Sequence, residues 1–254
     1  MRFLIALCFA AVAAHPLRAE EGAKSLKVMT WNIRHGRGLD ETIDLERIAA
    51  IIAAQKPDLV LLQEVDQGCA RSGGVDQAQE IAKIAGLHHA FGKAMDHDGG
   101  GYGQAILSRF PLLDPKIHRL PGNGEPRIAF SATIESSVGT LTVASTHLTQ
   151  ESGKTQHAQS QVAAASLLES PHPVILAGDL NAKPDSQTVK VFTQAPWTLV
   201  PKAGSGLTFP ASEPQVEIDY IILRGLRSQQ PSTVLEEHLA SDHRPVVVTV
   251  WPNE

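Results

Sequence analysis

The stretch Val174-Ile175-Leu176-Ala177-Gly178-Asp179-Leu180-Asn181 sets the frame for the whole chain. It opens with a continuously apolar run of strand length, the pattern of a strand covered on both faces. It closes on an acid and an amide at i and i+2, whose side chains point the same way if the backbone stays extended. Gly-Asp-Leu-Asn is equally good turn chemistry. The same design recurs in Thr30-Trp31-Asn32, Leu62-Gln63-Glu64, Ser145-Thr146-His147-Leu148 and Ser241-Asp242-His243, and Ile218-Asp219-Tyr220 lies 24 residues before His243. Burying a single such polar group without partners costs roughly 2–7 kcal/mol. Their recurrence at the ends of apolar runs predicts that they meet, satisfying one another around a metal and a phosphate.

Outward from that stretch, apolar runs at 26–33, 59–62, 105–107, 141–144, 174–177, 218–223 and 245–251 alternate with turn signals. Helical patterns intervene. Residues 44–55 place Leu45, Ile48, Ala49 and Ile52 on one face. Residues 76–85 open with Asp76-x-x-Gln79, a capping-box pattern. Residues 155–169 are rich in Ala and Gln, and 185–194 read as a short fourth helix. No repeat, linker or low-complexity tract divides the chain, so one domain over 20–254 is expected, α/β (α+β), with two sheets face to face and helices outside. Gly99-Gly100-Gly101 and Pro121-Gly122-Asn123-Gly124 are expected as mobile loops beside the site.

The start of the chain has a different character. Arg2 and the apolar run 3–14 have the form of a signal peptide, too short to span a bilayer. Residues 1–19 are therefore expected to be cleaved, after Ala14 or Ala19, and the protein to be periplasmic or secreted. No other run is long enough to span a membrane. The formal net charge is −5, and without residues 1–19 it is −7, from 20 Lys and Arg against 27 acids. With aromatic residues at 5%, no strong nucleic-acid-binding surface is evident. Cys69 is the one cysteine left after cleavage, so no internal disulfide is expected. A monomer is expected.

Several residues carry chemistry by type and position. Glu64 is a hard-oxygen ligand suited to Mg²⁺, which takes one or two protein carboxylates and keeps several waters. Asn32 cannot titrate, so it orients the metal's water or a phosphate oxygen. His243 needs a partner on one ring nitrogen to fix its tautomer or raise its basicity. Asp219 is that partner, leaving the other nitrogen for a phosphoryl oxygen. Asp242 joins the metal shell or holds its waters. Arg127 suits bidentate contact with phosphate, and Tyr102 either lines the substrate groove or packs in the core.

The ordered series Asn32, Glu64, Tyr102, His147, Asp179-x-Asn181, Asp219 and Asp242-His243 resembles the endonuclease/exonuclease/phosphatase superfamily, from about residue 26 to 251. The resemblance implies a four-layered α/β/β/α sandwich of two mixed β-sheets. It implies that Asp179 orients or deprotonates the attacking water, that Asn181 helps hold the water and the phosphate, and that Asn32 supports the metal site. It gives His147 the role of a donor to phosphoryl oxygens as charge builds up. Apurinic endonucleases of the superfamily carry an acid two residues after the Asn; Arg34 stands there in this chain, which favours a single metal and adds a cation for phosphate. Arg71-Ser72-Gly73 with Asp76-Gln77, and Asn32-Ile33-Arg34-His35-Gly36 upstream, resemble a bacterial branch of metal-dependent hydrolases. They also resemble the C-terminal domain of eukaryotic proteins that remodel inositol-lipid anchors.

The expected protein is an exported Mg²⁺-dependent phosphodiesterase, with Mn²⁺ as a substitute metal and a small or lipid-derived phosphate ester as substrate. Two alternatives stay open: a metal-dependent nuclease, and an inert binding module of the same fold.

Overall fold

Alternation along the strands explains the layers. In Val174–Asp179, Ile175 and Ala177 join one apolar cluster, while Val174 and Leu176 join another. A strand buried on both faces is apolar at every position, as the continuous run predicts. The computed structural model describes residues 24–253; the expected signal peptide lies outside them.

In chain order the elements are β1 (Leu26–Asn32), α1 (Leu45–Gln55), β2 (Leu59–Gln67), α2 (Gln77–Ala85), β3 (His88–His97), β4 (Gly100–Ser108), β5 (Leu113–Arg119), β6 (Ile128–Ser136), β7 (Gly139–His147), α3 (Gly153–Leu168), β8 (Val174–Asp179), α4 (Gln187–Lys190), β9 (Thr198–Leu199), β10 (Asp219–Arg224), β11 (Leu226–Arg227), β12 (Thr233–Val234) and β13 (Val246–Pro252). Among the described residues they form a sheet ordered β11-β13-β1-β2-β4-β3, with β12 also on β13, and a sheet ordered β5-β6-β7-β8-β10-β9. Both are mixed: β1–β2 and β7–β8 are parallel and their other pairs antiparallel.

Leu61, Ile106, Phe130, Val143, Ile175, Ile221 and Val248 fill the space between the sheets. On the outer face of the first sheet, Met29, Trp31, Val60 and Leu62 pack against Ile48 and Ile52 of α1 and Ile81 of α2. On the second sheet, Leu176, Tyr220 and Ile222 pack with Leu167 of α3 and Phe192. The result is a four-layered α/β/β/α sandwich. Each fully buried large apolar side chain contributes about 1.5–3 kcal/mol. No helix among the described residues is long and apolar enough to cross a membrane.

Each of α1–α4 starts on a side-chain cap: Asp44, Asp76, Ser152 and Ser186 each accept from the backbone N–H three residues on. Such a cap is worth about 1 kcal/mol. Ser152 moves the start of α3 to Gly153, ahead of the expected 155. The expected helix at 185–194 is split into α4 and a 3-10 turn, Val191–Thr193. The Gly99-Gly100-Gly101 run is only partly a loop, because Gly100 and Gly101 already belong to β4. A Cβ on Gly100 would collide with the Gln67 carbonyl, so glycine here lets two strands approach closely.

Candidate active site

Strand register assembles one wall of the site. In the second sheet, His147 pairs with Asp179 across β7–β8, and Asp179 pairs with Asp219 across β8–β10. Three adjacent strand ends therefore deliver an imidazole and two carboxylates side by side. Gly178 has φ 152°, and a Cβ there would strike the Thr146 carbonyl, so glycine permits the close strand contact just before Asp179.

The opposite wall is built by irregularity. Asn32 pairs with Gln63 across β1–β2. Glu64 falls in a β-bulge between Leu62 and Val65, with φ 55°. Plain alternation would send it to the helix side with Leu62; the bulge re-aims it into the cavity. Gln63 ties the sheets together by donating to Ser145 Oγ at 2.9 Å. The segment bearing Asp242 and His243 is pinned to β1, because Ser241 Oγ donates to the Asn32 carbonyl at 2.7 Å and Trp31 Nε1 to the His243 carbonyl at 2.8 Å.

Between the walls lies a cavity of about 390 Å³ that Glu64, Tyr102, Arg127, His147, Asp179, Asn181, Asp242 and His243 all line. Asp179 sits at its base. Its Oδ1 accepts from the Asn181 N–H at 2.8 Å and its Oδ2 from Asn32 Nδ2 at 3.2 Å. His147 Nε2 and His243 Nε2 lie 3.4 and 3.6 Å from that Oδ2. His243 Nδ1 is 3.0 Å from Asp219 Oδ2. Asn181 Nδ2 donates to the Leu148 carbonyl at 3.0 Å and faces His147 Nε2 at 2.9 Å. His147 Nε2 therefore accepts in the free protein, where a donor was expected, and Asn181 Oδ1 is left as the amide's remaining group.

The charges follow from these contacts. Burial raises the Asp179 carboxyl above the usual range, and the neighbouring Asp219 adds to the rise against the pull of His243. Burial alone would lower His243, but the Asp219 and Asp179 carboxylates outweigh it and keep the ring protonated. Burial keeps His147 neutral, helped by Arg127 and His243. Glu64 is raised by burial and by Asp242, against a hydrogen bond from Asn32 at 3.0 Å.

Two carboxylates on one cavity, one of them destabilised as an anion by its surroundings, form a donor set that suits a hard divalent cation. Asp179, Asp219 and His243 also place ligand atoms within 4.8 Å of one another, so this cluster too could hold a metal. Its own imidazolium already balances part of its negative charge, which leaves Glu64 and Asp242 the more cation-hungry pair. Asn32 lies between two of these carboxylates. Its Oδ1 accepts from the Arg34 N–H at 3.1 Å, and its amide group bridges Glu64 and Asp179. It supports a ligand and is not placed as one.

Arg34 departs from expectation. Arg34 and His35 both have φ 45° in a turn that directs the Arg34 guanidinium to Glu41 and Asp242, outside the cavity lining. Arg127 lines the cavity. Its side chain is 7% exposed, Nη2 pairs with Glu125, and Nε is buried without a hydrogen-bond partner. Tyr102 combines both expected settings, packed in the core yet lining the cavity. Residue-type reasoning gave no role to His35, Arg71 and His97, which line the cavity too. For His35 and Arg71 the signal was their place in the branch-specific motif.

A model of the Endonuclease/Exonuclease/phosphatase family matches residues 29–243, and the chain belongs to that family, whose members are hydrolases of phosphate esters. It is 26% identical over 197 residues to an inositol phosphosphingolipids phospholipase C of Schizosaccharomyces pombe, covering 68% of this chain and 45% of that protein. It is 26% identical over 199 residues to Protein cwh43 of the same yeast, covering 78% of this chain and 20% of that protein. The chain thus spans less than half the length of these curated relatives. Its fold is similar to an endonuclease/exonuclease/phosphatase from Beutenbergia cavernae, with a TM-score of 0.76 and 25% identity over 91% of this chain and 72% of the other.

Proposed function

From that family membership, we propose that the chain is an exported Mg²⁺-dependent phosphodiesterase acting on a small or lipid-derived substrate. The observation that carries this reading is the convergence on one cavity of Asp179, the Asp219–His243 pair, Glu64, and an Arg127 Nε with no partner. Glu64 and Asp242 would hold Mg²⁺, or Mn²⁺ in its place, to neutralise charge on the phosphoryl oxygens. Asp179, its carboxyl raised by burial, takes a proton from the attacking water. Asn181 Oδ1 holds that water. His243, kept cationic by Asp219, and Arg127 donate to the phosphoryl oxygens as the P–O ester bond breaks.

A lipid-derived substrate is supported by the yeast relative's name, inositol phosphosphingolipids phospholipase C, and by the negative charge of the chain. Export is supported by the signal-like sequence at 1–19. The test is a substrate panel with Mg²⁺, Mn²⁺ and Ca²⁺: DNA, RNA, phosphoinositides, sphingomyelin, sugar phosphates and bis-p-nitrophenyl phosphate. Turnover of bis-p-nitrophenyl phosphate and of a lipid-derived diester with Mg²⁺ is expected. DNA or RNA cleaved faster than every lipid-derived diester contradicts it.

A further inference from the structure

The motif halves around residues 32–36 and 71–77 meet in space. Gln77 Nε2 donates to the His35 carbonyl at 2.7 Å, and its Oε1 accepts from the Asp66 N–H at 2.9 Å. Asp66 is fully buried and receives Arg71 Nε and Nη2, both at 2.8 Å, as well as Ser72 Oγ at 2.8 Å. The β2–β4 register places Tyr102 beside Asp66, and the Arg71 guanidinium lies 5.4 Å from the Tyr102 ring centroid. Arg71 is thus clamped at the cavity wall with Nη1 unspent. His35 and Arg71 also line a second cavity, of about 380 Å³, with Arg37, Glu41 and Ile43. His35 Nδ1 is buried without a hydrogen-bond partner.

We propose that His35, Arg71 and Tyr102 form a subsite for a hydroxyl-bearing ring, a sugar or cyclitol, esterified to the scissile phosphate. The inference rests on the phosphodiesterase reading above. A hydroxyl both donates and accepts, so it can give its proton to His35 Nδ1 while accepting from Arg71. Burial and the Arg71 charge keep His35 neutral, lowering it to about 4, so Nδ1 can accept. The Tyr102 ring offers an apolar face to the C–H side of such a ring. A second phosphate fits less well against Arg71, whose charge Asp66 already matches; Arg34 and Arg37 share Glu41.

The test compares kcat/KM for glycerophosphoinositol, for the glycerol diester of glucose 6-phosphate, and for bis-p-nitrophenyl phosphate. The first two separate cyclitol from sugar. Arg71→Met and His35→Asn are each expected to lower the ratio of the better ring substrate to bis-p-nitrophenyl phosphate by about 10-fold, mainly through KM, as one hydrogen bond lost. Arg71→Met leaves Asp66 buried and unpaired; His35→Asn keeps a residue that tolerates the left-handed backbone and guards against a folding failure. An unchanged ratio in His35→Asn, or a higher wild-type kcat/KM for glycerophosphoinositol 4-phosphate assayed alongside than for glycerophosphoinositol, overturns the subsite. If the wild type cleaves no diester, the phosphodiesterase reading fails, and calorimetry with glycerophosphoinositol still decides the subsite. Weaker binding to His35→Asn by about 10-fold supports it, and equal binding overturns it.

Discussion

The two walls of the cavity are built by opposite means. On the second sheet, His147, Asp179 and Asp219 stand side by side because three regular strands end in register. On the first sheet, Glu64 is turned inward by a bulge, and Arg34 and His35 take consecutive left-handed conformations. Each such non-glycine residue costs of order 1 kcal/mol and persists only when its surroundings hold it. Here Asn32, Gln77 and Asp66 do the holding. Regular register supplies groups that partner one another; irregular backbone supplies groups with bonding capacity left over. In the proposed mechanism Asp179 on the second sheet takes the water's proton, while the first-sheet wall would hold the metal through Glu64 and Asp242 and also brings His243.

The sharpest break of that comparison is Glu64→Ala. It is expected to abolish turnover and weaken Mg²⁺ binding in calorimetry, with no loss in thermal midpoint, because it removes a carboxylate that burial disfavours. Wild-type turnover at saturating metal would move the metal away from this wall, to the Asp179–Asp219–His243 cluster.

Across the cavity, Asp219→Asn on the second sheet and His243→Ala, its partner on the first-sheet wall, should each cost roughly 10³ in turnover per folded molecule. The double mutant should be little worse than His243→Ala, since residues that act as a unit are non-additive. Additive losses, or a fully active Asp219→Asn, would break the pair. A smaller effect comes from His35. The folded protein holds it neutral down to about pH 4, while the unfolded chain protonates it below its ordinary 6.5. The unfolded state thus binds more protons in that window, and stability is lost as pH falls from 6.5 to 4. Relative to His35→Asn, the wild type should lose about 1–2 kcal/mol across it in urea titrations, less than the ~3.4 kcal/mol of the full shift because the half-exposed ring is screened by solvent; parallel curves would contradict this. The smallest effect concerns Cys69, buried with Sγ 3.1 Å from the His97 carbonyl. Reducing agent should leave the thermal midpoint unchanged, and a reductant-sensitive midpoint or a covalent dimer would refute a free thiol.

The same division decides how much could be read from the sequence. The second-sheet wall was legible because apolar runs that end in His147 and Asp179 and begin at Asp219 follow strand periodicity, and the resemblance supplied the sandwich. The presence of Glu64 at the site was also legible, but its direction was not: the bulge that aims it has no marker in Leu62-Gln63-Glu64-Val65. The resemblance suggested a phosphate cation at Arg34, where apurinic endonucleases carry an acid; here a left-handed turn directs its guanidinium to Glu41 and Asp242. Arg71 was visible only as part of a motif. Its place at the wall depends on Asp66, whose buried position a sequence pattern does not reveal. Strand β3 (His88–His97) was not singled out, since its mix of exposed His and Lys with half-buried apolar residues lacks a clean period.

The central claim, that Asp179 directs water onto phosphorus in this cavity, is tested most directly by hydrolysis of bis-p-nitrophenyl phosphate in ¹⁸O-water. The account predicts that ¹⁸O appears in the phosphate product and none in the released nitrophenol. It also predicts that Asp179→Asn, folded and metal-saturated, loses roughly 10³ of the rate. Label in the nitrophenol, or an Asp179→Asn enzyme turning over at the wild-type rate, would contradict it.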